Sequence, residues 1–520
     1  MPKTLALSTA ISLLLLGAAA RADVHPNALF SDHAVLQQAM DIPVWGTADP
    51  GESVTVTLNK DSQTATADND GKWLVRLPAQ KAAGLDAPAT TLTIKGKNEI
   101  TINDVLIGEV WLASGQSNME FTVSKKVKSF AGMLNEDEVI AKADFPKIRM
   151  FTVKQAKSRT PLTTLSGAWE VCSPKTVPAF SAVGYLFARD LQRDIHQPVG
   201  IINTSYGAAT AEAWASREAL AADPRLKRYL DTFDSNLAAF DKNPQVTLGE
   251  LPPEFPKPTP INKKRQPPTA RLGNPVNDQH EATVLFNGQL NPIIPYAIKG
   301  AIWYQGESLT GGKTGLNTFG HLTSALITDW RTRWHEGDFP FLIVQIPGQQ
   351  DISNNPLVRE QQNQVLQLKN TGIACIIDTG EAKNVHPKNK EPVGERLDRL
   401  ALALAYGQKI ETSGPVFDSL TIDGNKAIVK FTHTDGQLVA KGGPLKWFQV
   451  AGADQKFHDA VAEINGDTVV LTSPDVPAPV AVRYAWDNFP DGANLFNKDN
   501  LPASPFRTDT WDYPIPGLVE

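Results

Sequence analysis

The stretch Val105-Leu-Ile-Gly-Glu-Val-Trp-Leu112, followed by Ala113-Ser-Gly-Gln-Ser117, decides the fold class. Its first eight residues form a nearly continuous apolar run, which is typical of a strand buried on both faces in a parallel sheet. The small and polar residues after it predict a turn at the carboxyl end of that strand. Because open α/β sheets bind ligands at this edge, Ser117 becomes a candidate functional residue.

Apolar strand candidates alternate with helical patterns from this run to about residue 412. Such sustained alternation predicts an α/β fold with a mainly parallel sheet. The strands are predicted at 199–203, 298–304, 340–345 and 373–378, and the helices at 183–195, 211–221, 318–334, 358–369 and 393–410.

The two flanking segments have a different pattern. Residues 23–105 contain short β-branched runs separated by turn signals such as Asn69-Asp-Gly71, which predicts a small β-sandwich domain. Residues 413–520 return to β, so that the α/β core comprises 106–412. A stretch rich in Pro, Lys and Asn interrupts the core at 243–276. We interpret it either as a disordered insertion or as a surface loop that shapes a substrate cleft.

The first 22 residues have the features of a secretory signal peptide. Lys3 supplies positive charge, residues 5–20 are mostly apolar, and Ala20-Arg-Ala22 is a small-x-small cleavage site. We therefore expect an exported protein, secreted or periplasmic. No later segment approaches the about 18 consecutive apolar residues of a membrane span, so none is expected in the mature chain.

The charge balance argues against a nucleic-acid partner. The formal net charge is −6, and removal of residues 1–22 takes away two basic residues and no acidic one, which leaves −8. A chain this acidic repels nucleic acid but not a neutral glycan. Cys172 and Cys375 either pair or remain buried thiols. There is no HExxH motif, and we expect neither a metal nor a cofactor.

Ser117 has the position of a nucleophile for acyl transfer. A serine at a helix N-terminus presents its hydroxyl beside backbone N–H groups that stabilise an oxyanion, although an ordinary N-cap serine occupies the same position. Its base is normally a histidine within hydrogen-bond reach. Of the nine histidines, His386 stands out because it lies in a loop after the strand predicted at 373–378. A lone histidine is nevertheless more often an ordinary surface residue.

Two further segments offer hydrogen-bond donors for the oxyanion. Gly207 follows the strand at 199–203 and has no Cβ to obstruct its N–H, while Gln305 follows the strand at 298–304 with a neutral side-chain amide. Either segment alone is equally well explained as a left-handed turn or a helix cap. Together, four small or polar segments after four strands predict an acyl-transfer site.

Four sequence blocks contain these residues: Gly115-Gln-Ser-Asn-Met119, Ser205-Tyr-Gly207 with Glu212-Ala-Trp214, Trp303-Tyr-Gln-Gly-Glu-Ser308, and His386-Pro-Lys-Asn-Lys390. In this order they resemble the signature blocks of sialate O-acetylesterase-like proteins of the SGNH hydrolase superfamily. Further similar segments, such as Leu29-Phe-Ser-Asp-His33 and Pro502-Ala-Ser-Pro-Phe-Arg507, extend the resemblance over nearly the whole mature chain.

The resemblance implies a fold, an activity and a set of roles. The fold is a flavodoxin-like SGNH parallel-sheet hydrolase core with accessory β-sandwich or jelly-roll domains. The activity is removal of acetyl groups from hydroxyls of an acetylated oligosaccharide or polysaccharide. Ser117 is expected to be the nucleophile and His386 the general base and then acid. The Ser117 N–H, the Gly207 N–H and the Gln305 side chain are expected to hold the oxyanion.

The chain departs from the family pattern at two positions. Ala208 stands where relatives often have glycine, and Asn384 stands where they commonly have aspartate, two residues before the histidine. Asparagine can fix the imidazole tautomer but cannot stabilise imidazolium by charge. We therefore expect a Ser–His dyad that is oriented by Asn384 or a backbone carbonyl, with Glu381 and Asp378 as alternatives.

A second hypothesis follows from the missing aspartate. The chain would then be a catalytically weak or inactive carbohydrate-binding protein on an SGNH scaffold, with exposed aromatics at Trp447, Phe448, Trp486 and Phe489 stacking on sugar rings, although core packing is commoner for such residues. A peptidase or lipase is a weaker alternative. The sequence leaves open the oligomeric state and whether sialic acid, xylan, xyloglucan or pectin carries the acetyl group.

Overall fold

The computed structural model describes residues 23–251, 268–309, 312–350 and 354–512, except for the side chains of residues 312 and 313. The signal peptide predicted at 1–22 lies outside the described residues, as do residues 252–267 of the interrupting stretch.

The described strands fall into an N-terminal, a central and a C-terminal group. The N-terminal strands are β1 (His25–Pro26), β2 (Val35–Gln37), β3 (Ile42–Thr47), β4 (Ser53–Leu58), β5 (Asp61–Thr66), β6 (Lys72–Leu77), β7 (Thr90–Lys95) and β8 (Glu99–Gly115). The central strands are β9 (Phe145–Thr152), β10 (Trp169–Cys172), β11 (Val199–Asn203), β12 (Gly300–Tyr304), β13 (Phe341–Val344) and β14 (Thr371–Ala374). The C-terminal strands are β15 (Val416–Asp423), β16 (Lys426–Thr432), β17 (Leu438–Ala440), β18 (Phe448–Ala451), β19 (Phe457–Asp459), β20 (Val461–Asn465), β21 (Thr468–Thr472), β22 (Ala481–Tyr484), β23 (Leu495–Asn497) and β24 (Phe506–Arg507).

The helices belong to the central part of the chain. They are α1 (Ser117–Glu120), α2 (Glu136–Ala141), α3 (Ala182–Ile195), α4 (Arg217–Ala222), α5 (Lys227–Lys242), α6 (Gly312–Trp334), α7 (Asn355–Asn363) and α8 (Glu391–Leu404). Short 3₁₀ turns occur at Val177–Ala179, Ala211–Trp214, Leu248–Glu250, Pro275–Asn277, Asn291–Ile293 and Gln364–Gln367, with a π-turn at Phe286–Leu290.

Strand β8 joins the N-terminal part of the fold to the central sheet. It pairs with β7 at its start, with β2 in its middle, and with β11 and β12 at its end. Asp104 lies within the strand at φ 55, and its carboxylate binds Arg149 and His33, each at 2.6 Å. The domain boundary predicted at 105/106 therefore falls inside one continuous strand, immediately after Asp104.

The central sheet has the spatial order β10-β9-β11-β8-β12-β13-β14. All neighbours from β9 to β14 run parallel, and β10 is antiparallel at the edge. Numbered in chain order, the six parallel strands β8, β9, β11, β12, β13 and β14 have the spatial order 2-3-1-4-5-6, so the chain fills one side of β8 with β9 and β11 before it crosses to the other side with β12. The fold is thus a mixed α/β architecture with a large mixed sheet and additional β-sheets.

Alternate residues of the central strands pack into two different cores. Trp111 and Ala113 of β8 face a cluster that includes residues of α3 and α8. Val110 and Leu112 face a second cluster, which includes residues of α6 and of the N-terminal strands. Because both faces are covered, β8 is buried from Gly108 to Gly115, as its apolar sequence predicts.

The C-terminal strands form three further sheets around a separate core. The orders are β15-β16-β21-β20, β17-β23 and β19-β18-β22-β24. This part contacts the central domain through the loop after β22, where Arg359 donates to the Asp487 carbonyl at 2.8 Å and to the Asn488 carbonyl at 3.2 Å. Gly348 lies against Phe489, so closely that a Cβ at position 348 would be 3.0 Å from the ring.

Most predicted elements are present, but several boundaries differ. The helix predicted at 211–221 is broken because Ala215 and Ser216 are extended, and Ser216 then caps α4. The strand predicted at 373–378 is Thr371–Ala374 and ends at Ala374, whose partner Val344 is also the last residue of β13. The helix predicted at 393–410 ends at Leu404, shortly before Gly407 reverses the chain at φ 68.

The aromatic residues considered for sugar stacking are largely packed inside the protein. Phe448 is 2% exposed and Trp486 is 7% exposed, while Trp447 and Phe489 are half-buried. The expectation of exposed aromatics is therefore wrong for Phe448 and Trp486, since both contribute to folding instead. Cys172 and Cys375 are buried free thiols, and burial raises the pKa of both. None of the described helices is long and apolar enough to cross a membrane.

Candidate active site

The turn after β8 is held against β12. Gly115 has φ 133, and a Cβ there would lie 2.2 Å from the Tyr304 carbonyl oxygen, so glycine allows the two strands to meet this closely. Gln116 donates its N–H to the same carbonyl at 2.9 Å, and its side-chain oxygen accepts the Ser308 N–H at 3.1 Å. These contacts place Ser117 at the start of α1, at the carboxyl edge of the sheet.

Ser117 and His386 are brought into direct contact. Their Oγ and Nε2 atoms are 2.7 Å apart, a hydrogen bond that connects positions separated by 269 residues in the sequence. Both residues are half-buried, so the hydroxyl is neither sealed in the core nor fully solvated. A serine hydroxyl bonded to an imidazole nitrogen is the arrangement that acyl transfer needs, because the imidazole can accept the hydroxyl proton.

Two backbone N–H groups beside Ser117 are unoccupied. Within the described residues, neither the Ser117 N–H nor the Gly207 N–H donates a hydrogen bond. The turn after β11 lies so close to α1 that a Cβ on Gly207 would be 3.9 Å from the Ser117 Cβ and 2.7 Å from the Glu120 carboxylate. Unpaired donors next to a serine hydroxyl can bind an oxyanion.

Gln305 occupies the predicted place but not the predicted orientation. Its amide nitrogen donates to the Ser308 carbonyl at 2.8 Å and to the Ala209 carbonyl at 3.4 Å. The side chain is fully buried, and its amide oxygen has no hydrogen-bond partner among the described residues. In this geometry both amide hydrogens are used to connect the turns after β11 and β12, so Gln305 does not offer a free donor to the oxyanion.

Asn384 also differs from its expected role. Its Oδ1 accepts the His386 N–H at 3.0 Å, and its Nδ2 donates to the His386 carbonyl at 2.8 Å and to Glu381 Oε2 at 3.0 Å. Asn384 therefore holds the backbone of His386 and makes no hydrogen bond with the ring. The expected imidazole bond is absent because the short side chain closes a turn on its own loop.

The alternative acids are also engaged elsewhere. Asp378 accepts two hydrogen bonds from Arg396, at 2.6 and 2.7 Å. Glu381 accepts from Asn384 and, through Oε1, from the Lys388 N–H at 2.7 Å. Among the described residues, the His386 ring makes its one hydrogen bond to Ser117. The site is thus a Ser–His pair in which no carboxylate of the described residues is hydrogen-bonded to the imidazole.

Aromatic side chains surround the imidazole. The ring centroid of His386 is 4.8 Å from that of Phe130 and 6.5 Å from that of Phe121. Burial, followed by the positive charge of Lys390, lowers the pKa of His386 to about 4. A neutral imidazole, which is the form that can accept a proton, therefore persists well into the acidic range.

A buried polar cluster lies behind the Ser–His pair and was missed by sequence reasoning. Asn118 Oδ1 accepts from Lys390 Nζ at 2.6 Å, and Asn118 Nδ2 donates to Glu307 Oε1 at 2.5 Å. All three residues belong to the quoted blocks, but a lysine in a loop is normally exposed, and nothing in its sequence context signals burial. Within the described part of the chain, no group of three or more His, Cys, Asp or Glu residues is arranged to hold a metal ion.

Comparisons with known proteins indicate the class of enzyme to which the chain is similar. A family model described as carbohydrate esterase, sialic acid-specific acetylesterase, matches residues 281–401. The sialate O-acetylesterase of Mus musculus is 28% identical over 512 residues, covering 89% of this chain and 90% of the relative. The Homo sapiens protein of the same name is 26% identical over 526 residues, covering 92% and 90%. The crystal structure of a carbohydrate acetylesterase from Xanthomonas citri is 35% identical, with a TM-score of 0.79, over 94% of this chain and 100% of that one.

Fold, site and similarity together define a carboxylic ester hydrolase. The chain belongs to the sialate O-acetylesterase-like family of carbohydrate esterases.

Proposed function

We propose that this protein is an exported carbohydrate O-acetylesterase that works through an acetyl-enzyme on Ser117. The observation that carries the proposal is the 2.7 Å hydrogen bond between Ser117 Oγ and His386 Nε2. The backbone N–H groups of Ser117 and Gly207, which donate to none of the described residues, support it. The strand order of the central sheet supports an SGNH hydrolase core, because Ser117, Gly207 and Gln305 follow β8, β11 and β12 around the point where the strand order reverses.

In the first half-reaction, His386 Nε2 takes the hydroxyl proton as Ser117 Oγ attacks the acetyl carbonyl carbon. The carbonyl oxygen becomes an oxyanion, which the N–H groups of Ser117 and Gly207 stabilise. Each such donor contributes about 10²- to 10³-fold to the rate in comparable enzymes. When the intermediate collapses, the imidazolium donates this proton to the sugar oxygen, the ester C–O bond breaks, and the deacetylated sugar leaves.

In the second half-reaction, His386 takes a proton from water, whose oxygen attacks the acetyl group on Ser117. Collapse of this intermediate returns the proton to Ser117 Oγ and releases acetate. The imidazolium has no carboxylate partner, so it is less stabilised than in a Ser–His–Asp triad. We propose that Asn384 compensates in part by holding the His386 backbone, and that Gln305 supports the oxyanion site by connecting two turns rather than by donating to substrate.

The substrate class follows from the relatives. The Mus musculus and Homo sapiens relatives are named sialate O-acetylesterases and the Xanthomonas citri protein is named a carbohydrate acetylesterase, so O-acetylated sialic acid and other acetylated carbohydrates are the first candidates. The features of residues 1–22 support export, which would bring the enzyme to extracellular or periplasmic glycans.

Acetate release from a panel of acetylated glycans tests the proposal. We expect the wild-type protein to release acetate from at least one sugar, and Ser117→Ala to lower that rate by about 10³-fold or more, as loss of a nucleophile does. Hydrolysis that is unchanged in Ser117→Ala would refute the mechanism. Glycan binding without any acetate release would instead support the binding-protein hypothesis.

A further inference from the structure

A buried charge lies directly behind the Ser–His pair. Lys390 is 0% exposed, although lysine is among the residues least often buried. Its ammonium group is 4.7 Å from the centroid of the Phe121 ring and 5.3 Å from that of Tyr304. Two aromatic faces and one amide oxygen thus replace its water shell. Because removing an ammonium group from water is unfavourable, packing alone does not explain a lysine at this position.

Asn118 connects this charge to both members of the pair. It follows Ser117 directly, and its Oδ1 accepts from Lys390 Nζ at 2.6 Å. Its Nδ2 donates to the carbonyl of Val385, the residue before His386, at 2.9 Å. One side chain therefore ties the nucleophile turn to the histidine loop.

The charge has a carboxylate counterpart. Asn118 Nδ2 also donates to Glu307 Oε1 at 2.5 Å, and Glu307 Oε2 is buried without a hydrogen-bond partner among the described residues. Lys390 and Glu307 share Asn118 as their hydrogen-bonding partner and attract one another across it. The cluster consequently reaches the segments after β8 and β12 and the loop before α8.

We propose that Asn118, Glu307 and Lys390 form a positioning unit for acyl transfer, which fixes the Ser117 turn against the His386 loop and places a positive charge beside the imidazole. This inference rests on the proposed roles of Ser117 and His386. None of the three touches the reacting atoms. Asn118 acts through the Ser117 turn and the His386 loop, Lys390 acts through its charge on the imidazole, and Glu307 acts through Asn118 and Lys390.

The electrostatics agree with this geometry. The positive charge of Lys390 acts on His386 and adds to the effect of burial in lowering the pKa of the imidazole. Burial lowers the pKa of Lys390 to about 7, while Glu307 and Glu381 oppose that shift. Burial raises the pKa of Glu307, and Tyr304 is buried with a pKa well above its ordinary value.

Removal of both charges at once gives the sharpest test. The double variant Glu307→Gln/Lys390→Met keeps the volumes, leaves no buried ion unpaired and retains an amide beside Asn118. We expect it to fold, to lose about tenfold or more in kcat, and to move the acidic limb of kcat/KM upward by about 0.5–1 pH unit, because a like charge near the imidazole has been removed. Lys388→Met removes an exposed lysine from the same loop and should leave the pH profile unchanged.

Two results would overturn the inference. One is a double variant with the kcat and pH profile of the wild type. If that variant does not fold, Asn118→Ser serves instead, because it keeps both charges but removes the amide. The second result that would overturn the inference is an unchanged kcat in Asn118→Ser. Ser117→Ala separates the two proposals. Full activity in Ser117→Ala refutes the proposed function itself. An inactive Ser117→Ala, together with a double variant whose kcat and pH profile equal those of the wild type, refutes only the positioning unit.

Discussion

Asn384 holds the backbone of His386 at both ends, accepting its N–H at 3.0 Å and donating to its carbonyl at 2.8 Å. The residue at the position of the usual catalytic acid thus acts on the chain and not on the ring. The same Nδ2 donates to Glu381, so the turn depends on a donor that a carboxylate cannot supply.

Restoring the family residue by Asn384→Asp should therefore impair the enzyme. A carboxylate at this position would face the Glu381 carboxylate and the His386 carbonyl without a hydrogen to offer either. Loss of such hydrogen bonds, which leaves acceptor oxygens facing one another, lowers the unfolding free energy by about 1–3 kcal/mol. We expect a lower Tm by thermal unfolding and a kcat/KM reduced by about tenfold, since a factor of ten corresponds to about 1.4 kcal/mol.

The double variant Glu381→Gln/Asn384→Asp is the matched control, because glutamine returns a donor to the turn. It should recover most of the lost Tm. A higher kcat in Asn384→Asp alone would contradict this account, since it would mean that the new carboxylate reaches the imidazole and completes a triad.

The packing of Phe130 on His386 should control the pH range of activity. The general base must be neutral, and its pKa of about 4 keeps it neutral as the pH falls to that value. Phe130→Ala exposes the imidazole to water, so its pKa should rise toward 6.5, its ordinary value, and activity should be lost at a correspondingly higher pH. The kcat/KM profile between pH 4 and about 7 measures this shift.

Leu134→Ala is a suitable control, because Leu134 lies in the same segment and its side chain is 56% exposed. If Phe130→Ala and Leu134→Ala gave the same acidic limb as the wild type, the ring would have no part in keeping the base neutral.

Two adjacent small residues should respond in opposite ways to substitution. A Cβ at position 207 would lie 2.7 Å from the Glu120 carboxylate, which Lys128 and Gln155 hold in place. Gly207→Ala should therefore displace one oxyanion donor and lower kcat by about 10²-fold. Steady-state kinetics with a chromogenic acetate ester measures the loss. A kcat equal to that of the wild type would show that the Gly207 N–H does not stabilise the oxyanion.

Ala208→Gly should be harmless or stabilising. Ala208 has φ 57, and the left-handed conformation costs a non-glycine residue about 1–2 kcal/mol. Glycine avoids that strain but loses about 0.5–1 kcal/mol through its greater freedom in the unfolded chain. We expect an unfolding free energy raised by up to about 1 kcal/mol with unchanged kcat, as measured by denaturant unfolding.

Substitution of Gln305 distinguishes a side chain that connects two turns from one that donates a hydrogen bond to the oxyanion. Gln305→Ala leaves the buried Ser308 carbonyl without its donor, so we expect the unfolding free energy to fall by about 1–3 kcal/mol together with kcat. A donor used only in the transition state would affect kcat and leave stability unchanged. A lower kcat with an unchanged unfolding free energy would therefore support the role of Gln305 as an oxyanion donor.

The sequence was sufficient to expect Ser117, Gly207 and His386 at one edge of the sheet, since each follows a strand of one parallel sheet and the carboxyl ends of such strands lie at the same edge. It was not sufficient to orient Gln305 or Asn384. Either amide can serve several partners, and the choice depends on turns whose geometry is set by tertiary contacts. The extent of β8 beyond the predicted boundary has a similar cause, because its pairing changes from β7 to β11 and β12 without a break in the chain.

The buried side chains around the pair were harder to predict. Lys390 occupies a position that its sequence context would place at the surface, and only the closure of Phe121, Tyr304 and Asn118 around it makes it buried. Phe130 lies in an irregular segment with no periodic pattern, so its contact with His386 could not be derived from spacing.

The central claim is that Ser117 carries the acetyl group during turnover. The wild-type protein is mixed with a chromogenic acetate ester, the reaction is quenched rapidly during turnover, and the peptides are analysed by mass spectrometry. We predict that the peptide containing Ser117 gains the mass of one acetyl group during turnover, and that neither Ser117→Ala nor His386→Ala acquires it. Turnover without an acetylated Ser117 peptide, or with the acetyl group on another residue, would contradict the account.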